Sequence, residues 1–240
     1  MIKLLVKLPI FKRLIPSIIK KLNIKNYTYK RDGLTYELDL RYLVDKRFYL
    51  FGWDQDIINY LNNYIKEKSC DYFFDIGSCW GVYSLQIANK NPQIKIFAFD
   101  VFEKNIERLK KMARINNINN IKTFNKAIGA EKKIETFSVN EKHSPNFSKD
   151  LNGKYQVKVQ QNTIDNLVNI LNKKIIIKMD VERAELEALK GSEKLLKNNK
   201  CLIILETSEN SSAIKFLLSM QFKIIRNNLL TSDIMLTNNY

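Results

Sequence analysis

From Tyr72 onward, short apolar runs alternate with helical stretches, and this alternation restricts the fold more than any other feature. "YFFDI" precedes a helical stretch from Gly81, "IKIFAFD" precedes one from Glu103, and "IKTFNKA" follows. Strands separated by helices cannot close as hairpins, so each crosses over the sheet and returns parallel to its predecessor. The pattern pauses between about Lys132 and Gln161, where "KIETFSV" and "YQVKVQQ" read as a strand pair around a polar loop holding His143. It resumes with "TIDNLVNIL" as helix, "KIIIKMD" as strand, "AELEALKGSEKLLK" as helix and "CLIILE" as strand. A helix near Ser211–Met220 leads to "FKIIR" and "DIMLT", separated only by "NNLLTS", which is too short for a crossover helix.

The pattern predicts an α/β fold: a doubly wound, mostly parallel, Rossmann-like sheet of seven strands whose last strand is antiparallel. With 45% hydrophobic and 27% charged residues, the 240-residue chain has the material for one sizeable core. Before the alternation, "YTYKRDGLTYELDL" carries an Asp32-Gly33 turn between alternating runs, a hairpin pattern, and Asp54–Lys66 reads as a helix with an acidic start. We therefore divide the chain into an N-terminal helical and hairpin extension, 1–53, and a main domain, 54–240.

The net charge of +15 first points to nucleic acid. Its distribution points elsewhere. Residues 1–31 carry nine of the 40 basic residues and no acid, which leaves the other 209 residues at +6. The stretch "MIKLLVKLPIFKRLIPSIIKKL" has no apolar run near the roughly 18 residues of a membrane span, and no small-residue cleavage site follows a compact apolar region. Residues 1–22 have two readings, a basic amphipathic segment on an anionic membrane surface or a helical lead-in packed on the domain. Cys70, Cys79 and Cys201 form no CxxC pair, and with a single histidine a Cys/His zinc site is not expected. Reduced thiols fit a cytoplasmic protein, peripheral to a membrane if the tail binds one.

"DIGSCWG" follows the first strand of the alternation and opens a helix, where backbone N–H groups can face a ligand. A dinucleotide fingerprint needs glycine where Cys79 stands, so that the backbone can approach a pyrophosphate, and no Gly-Lys-Ser/Thr follows. A ligand without phosphates at this turn is compatible, S-adenosylmethionine with its methionine end along the loop being one. Asp100, 23 residues after Gly77, ends the next strand, where a carboxylate can accept from ribose hydroxyls. No neighbouring histidine activates Cys79 as a nucleophile. Trp80 and Tyr83 read as packing for the helix start.

Taken in series, these elements resemble the FkbM family of methyltransferases, within the class I superfamily. The family's D-x-G-A-N-x-G-x-Y-S/T appears as "DIGSCWGVYS", its F-E-P-like strand end as "FDVFEKN", and its later elements as "TIDNL", "IKMDVERAE", "LEALKG" and "LIILE". The match runs from about Asp71 to Glu206. Ser78-Cys79 replaces Ala-Asn, Asp100-Val101 replaces Glu-Pro, and Arg183 stands where the family has glycine. A glycine there can meet an unusual dihedral or a close backbone approach, neither of which suits arginine.

The resemblance implies methyl transfer from S-adenosylmethionine to a hydroxyl of a saccharide or other small metabolite. Asp75, Gly77, Ser78, Gly81, Asp100, Val101 and Ala127 are the implied cofactor contacts. Asp180, Glu182 and Glu185, at the carboxyl end of a central strand and on the next helix turn, are the candidates for catalysis. The same acids also suit a helix N-terminus through its dipole. Lys178 can face the site or pair locally. Asp180 with Glu206 can hold a divalent cation, though no further oxygen ligands follow, and we assign no metal ligands. His143 is an alternative base. A nucleic-acid or nucleotide methyltransferase, or a catalytically altered cofactor-binding scaffold, are the competing functions.

Overall fold

The computed structural model describes residues 23–139, 147–148, 155–181, 183–226 and 233–238. The 1–22 segment with its membrane-surface reading, His143 and Glu182 lie outside them. The first described elements form a hairpin, β1 (Tyr27–Arg31) and β2 (Leu34–Leu38), turned at Asp32 and Gly33, which both have positive φ, as a two-residue hairpin loop of matching twist requires. Helices α1 (Leu43–Phe51) and α2 (Gln55–Lys68) follow. The alternating region then gives β3 (Tyr72–Ile76), α3 (Val82–Lys90), β4 (Lys95–Asp100), α4 (Glu103–Ile115) and β5 (Ile121–Asn125).

The predicted strand pair forms its own small sheet. It consists of β6 (Ala127–Ile128), β7 (Lys133–Val139), β8 (Phe147–Ser148) and β9 (Tyr155–Asn162), in the order β6-β9-β7-β8, with β7 and β9 antiparallel. "IKTFNKA" is thus broken in two at Lys126, its first part in the main sheet and its second in the small one. After α5 (Ile164–Leu167) come β10 (Lys174–Met179), α6 (Glu185–Lys190), α7 (Glu193–Asn198), β11 (Lys200–Glu206), α8 (Ser212–Ser219), β12 (Lys223–Arg226) and β13 (Asp233–Thr237).

The main sheet has the order β12-β13-β11-β10-β3-β4-β5, and β13 runs antiparallel to both neighbours, as the sequence predicts. Strand period two divides its side chains between two cores. Phe73, Ile96, Ile176 and Ile204 pack under α2, α3, α4 and the hairpin, while Phe74, Phe99, Ile177 and Ile203 pack under α6, α7 and α8. The order of strands reverses between β3 and β10, and the crevice beyond their carboxyl ends is where such sheets accept ligands.

Two helices are shorter than their periodicity predicts. "TIDNLVNIL" is helical only to Leu167, because Val168 is already extended toward β10. Thr163 caps this short helix through its hydroxyl, and the Asp165 carboxylate accepts from the N–H groups of Lys194 and Leu195 in the first turn of α7. "AELEALKGSEKLLK" breaks at Gly191 into α6 and α7. A Cβ at Gly191 would stand 2.0 Å from the carbonyl oxygen of Gly129, so backbone meets backbone where the small sheet joins the main domain. We expect Gly191→Ala to lower unfolding free energy by about 1–3 kcal/mol, seen as a fall in the urea midpoint at unchanged slope.

Candidate active site

The loop between β3 and α3 is held from three sides. Gly77 and Ser78 donate backbone N–H groups to the Phe99 carbonyl at the end of β4. Cys79 N–H donates to Asp100 Oδ2 at 2.8 Å, while Oδ1 accepts from Phe102 N–H at 2.8 Å and from the Asn105 amide at 3.1 Å. Gly77 has φ +82°, and a Cβ on it would lie 1.8 Å from the Asp180 carbonyl oxygen. Cys79 itself takes a left-handed φ of +50° where the family has Asn, a residue that tolerates that region better. Burial first, then Asp100, pushes the Cys79 thiol well above its ordinary range, which suits no thiolate nucleophile.

Above this loop lies a cavity of about 280 Å³. Gly77, Cys79, Asp100, Val101, Ala127 and Asp180 line it, so four of the seven predicted cofactor contacts and one of the three predicted catalytic acids converge there. Asp75, Ser78 and Gly81 do not line it. The buried Asp75 carboxylate accepts from Ser84 N–H and Oγ (3.2 and 2.6 Å), and Gly81, at φ +88°, makes room for Leu109 on α4. These residues shape the loop from beneath. Glu185 does not line the cavity either; its carboxylate turns back to accept from Arg183 N–H at 3.0 Å.

The sequence reading missed the other walls. Leu43, Val44 and Arg47 on α1, with Trp53 after it, close one side, and Phe137 and Gln161 from the small sheet close another. No periodicity or motif in "LVDKRFYLFGW" marks it as lining a site. Only packing brings it there: Phe48 sits between the rings of Tyr36 and Trp80, centroids 4.7 and 5.2 Å away. Trp80 is buried in that aromatic cluster and Tyr83 donates its hydroxyl to Asp54 at 3.0 Å, so both pack the helix start.

Charge is concentrated beside the cavity. Lys178 and Asp75 are register partners on β10 and β3, both buried on the same face. The Lys178 ammonium lies 3.4 Å from Asp180 Oδ2 and 5.0 Å from the Tyr83 ring centroid. Burial opposes its charge, but Asp180, Asp75, Asp233 and Glu206 together outweigh burial and hold its pKa above the ordinary lysine value. Burial likewise raises Asp75 despite the Ser84 hydrogen bonds. Asp100 rises to about 7, burial outweighing its three donors. Glu206 also rises to about 7, through partial desolvation of its carboxyl and the adjoining Asp180, with which it is hydrogen-bonded. Among the described residues, no group of three or more His, Cys, Asp and Glu is placed to hold a metal ion, and no helix is long and apolar enough to cross a membrane.

Chemically, the cavity offers the backbone loop at Gly77 and Cys79, the Asp100 carboxylate and the apolar Ala127, Ile128 and Phe137. That set of surfaces suits a ligand with an amino-acid end, a ribose and a flat base. Cys79, at the position where a pyrophosphate needs glycine, is not in its way.

A family model described as the methyltransferase FkbM domain matches residues 75–233. No curated protein matches the chain. Solved structures similar to it include an N-terminally truncated METTL16 methyltransferase domain, at 16% identity over 93% of this chain and 92% of that one, TM-score 0.50. Another is the human methyltransferase 10 domain-containing protein, at 15% identity over 93% and 96%, TM-score 0.46. A third is magnesium protoporphyrin IX methyltransferase from Synechocystis with bound S-adenosylmethionine, at 12% identity over 81% and 82%, TM-score 0.47. At such identities the likeness is one of fold.

Arg183, at the family's glycine position, has φ +74°. The departure therefore carries a backbone cost of about 1–2 kcal/mol, because a Cβ in this region crowds the following carbonyl. We expect Arg183→Gly to raise the melting temperature by roughly 2–4 °C for each kcal/mol recovered, measured by thermal unfolding.

Proposed function

The chain belongs to the FkbM methyltransferase family, and we propose that it methylates a hydroxyl of a saccharide or other small hydroxylated metabolite, with Asp180 as the base. It is an S-adenosylmethionine-dependent methyltransferase; the acceptor and the residue roles are our reading. S-adenosylmethionine, when bound, supplies a methyl group on a sulfonium, which is already a strong leaving group.

The protein's own contribution is then alignment, exclusion of water and removal of a proton. The loop at Gly77 and Cys79 takes the methionine end. Asp100, at the floor, takes the ribose hydroxyls with the lone pairs its three donors leave free. Val101 and Ala127 border the base. A neutral hydroxyl is a poor nucleophile, so the proton must leave as the bond to carbon forms.

The observation that carries the choice of Asp180 is its position. It is the cavity-lining carboxylate that the loop's N–H donors do not occupy, its side chain is 36% exposed, and the β10 backbone ties it to the cofactor loop. Lys178 holds the Asp180 carboxylate in an ion pair at 3.4 Å, and Glu206, raised to about 7, can hold a proton nearby. Glu185, held by Arg183 N–H, supports the turn instead. Incubation with methyl-labelled S-adenosylmethionine and glycan or metabolite extracts, followed by mass spectrometry, tests the reading; label found only on nitrogen or on nucleic acid would refute it.

Asp180→Asn should lower turnover by about 10²–10⁴ while cofactor affinity by calorimetry changes little. Full activity in this variant would reassign the base. Glu206 holds a proton below about pH 7 and loses it above, so the negative charge it then adds beside Asp180 should appear as an inflection in the kcat–pH profile near that pH. Glu206→Gln removes that titrating group and should abolish the inflection.

A further inference from the structure

Two arginines at the mouth of the cavity have no part in the mechanism above. Arg47 lines the cavity from α1, is exposed, and lies 5.7 Å over the centroid of the Trp53 ring. Arg183 stands between Val181 and Ala184, which both line the same cavity, and it too is exposed. Neither guanidinium has an acidic partner among the described residues. Lys126 adds a third cation to the lining, 2.7 Å from Gln160 Oε1. The cavity's carboxylates do not balance these charges: Asp100 accepts from three loop donors, and Asp180 faces Lys178.

The backbone at Arg183 sharpens the point. Its φ of +74° suits glycine, and an arginine is strained there. Its backbone N–H is used by Glu185, a bond that glycine would make equally well. What arginine adds at this position is an exposed cationic side chain, on a strained turn whose neighbours Val181 and Ala184 line the site. At Arg47, the cation–π contact with the Trp53 indole holds the guanidinium beside the cavity, and its paired N–H donors suit a planar or tetrahedral anion.

We propose that the acceptor is anionic: a hydroxylated small molecule carrying a phosphate or carboxylate, anchored by Arg47 and Arg183 while its hydroxyl meets Asp180. Arginine matches both groups through paired N–H donors, and unpaired cations around a cleft concentrate anions at its mouth. The inference rests on the reading of the chain as a hydroxyl methyltransferase and adds the charge of its acceptor.

The test titrates the full chain, saturated with S-adenosylhomocysteine, with three matched probes: a neutral hexose, a hexose phosphate and a hexuronic acid. Calorimetry should show at least one anionic probe bound about tenfold more tightly than the hexose. The preference should fall several-fold in Arg47→Gln and in Arg183→Gly, the second of which keeps the fold because glycine accepts that φ. The stronger of the two anionic probes names the group as phosphate or carboxylate. Equal binding of all three probes, no binding of the anionic ones, or a preference that survives both substitutions overturns the inference. A loss of S-adenosylhomocysteine affinity in Arg47→Gln with anion preference intact assigns Arg47 to the cofactor's carboxylate and removes it from the proposal. Methyl transfer from labelled cofactor to each probe is measured separately, so failure of the hydroxyl-transfer reading is seen independently of anion selectivity.

Discussion

The contact between Gly77 and the Asp180 carbonyl governs the site. With a Cβ of Gly77 placed at 1.8 Å from that oxygen, no side chain can stand between the loop after β3 and the end of β10. The Asp180 N–H continues the ladder to Ile76, so the carboxylate assigned as base and the backbone assigned to the cofactor are parts of one rigid edge. Near-attack geometry depends on such rigidity, since small displacements of reacting groups cost large factors in rate. The contact occurs at the reversal of strand order, the one place where neighbouring crossovers diverge and leave an open crevice.

Beneath that edge, one buried lysine organises four carboxylates. Lys178 and Asp75 sit side by side in register, and Asp180, Glu206 and Asp233 complete the field around the ammonium. Removing a lysine from water is costly unless opposite charges and hydrogen bonds surround it. Here the surroundings overcompensate for Lys178, while partial burial first and the neighbouring Asp180 second raise Glu206. The same electrostatics that holds the strands' charged ends together thus places a proton acceptor near neutrality beside the cavity.

The periodicities of the chain made much of this legible. The short apolar runs "YFFDI" and "KIIIKMD" read as strands because side chains on both faces of a doubly covered sheet are apolar, and the short spacing before "DIMLT" forced an antiparallel end. The family resemblance even marked position 183 as unusual, and its backbone proves left-handed. Helix ends were less legible: "LEALKGSEKLLK" keeps its helical spacing through Gly191, but a contact with Gly129 breaks it. Asp75, Ser78 and Gly81 share a motif with Gly77 and yet face inward, because a turn leading into a helix exposes only some of its residues to the crevice.

By itself, the sequence determined the order of strands and helices, the loop chemistry that excludes a pyrophosphate, and the carboxylates at strand ends. All of these are local: they follow from side-chain period, from glycine's backbone freedom and from spacing along the chain. Only tertiary structure decided which residues share a cavity. Arg47 and Trp53 reach it because Phe48 packs α1 against Tyr36 and Trp80, and Phe137 and Gln161 reach it because the small sheet folds back over Ala127. Burial of apolar surface is non-directional and joins segments regardless of their separation, so the partners it selects leave no spacing in the chain to read.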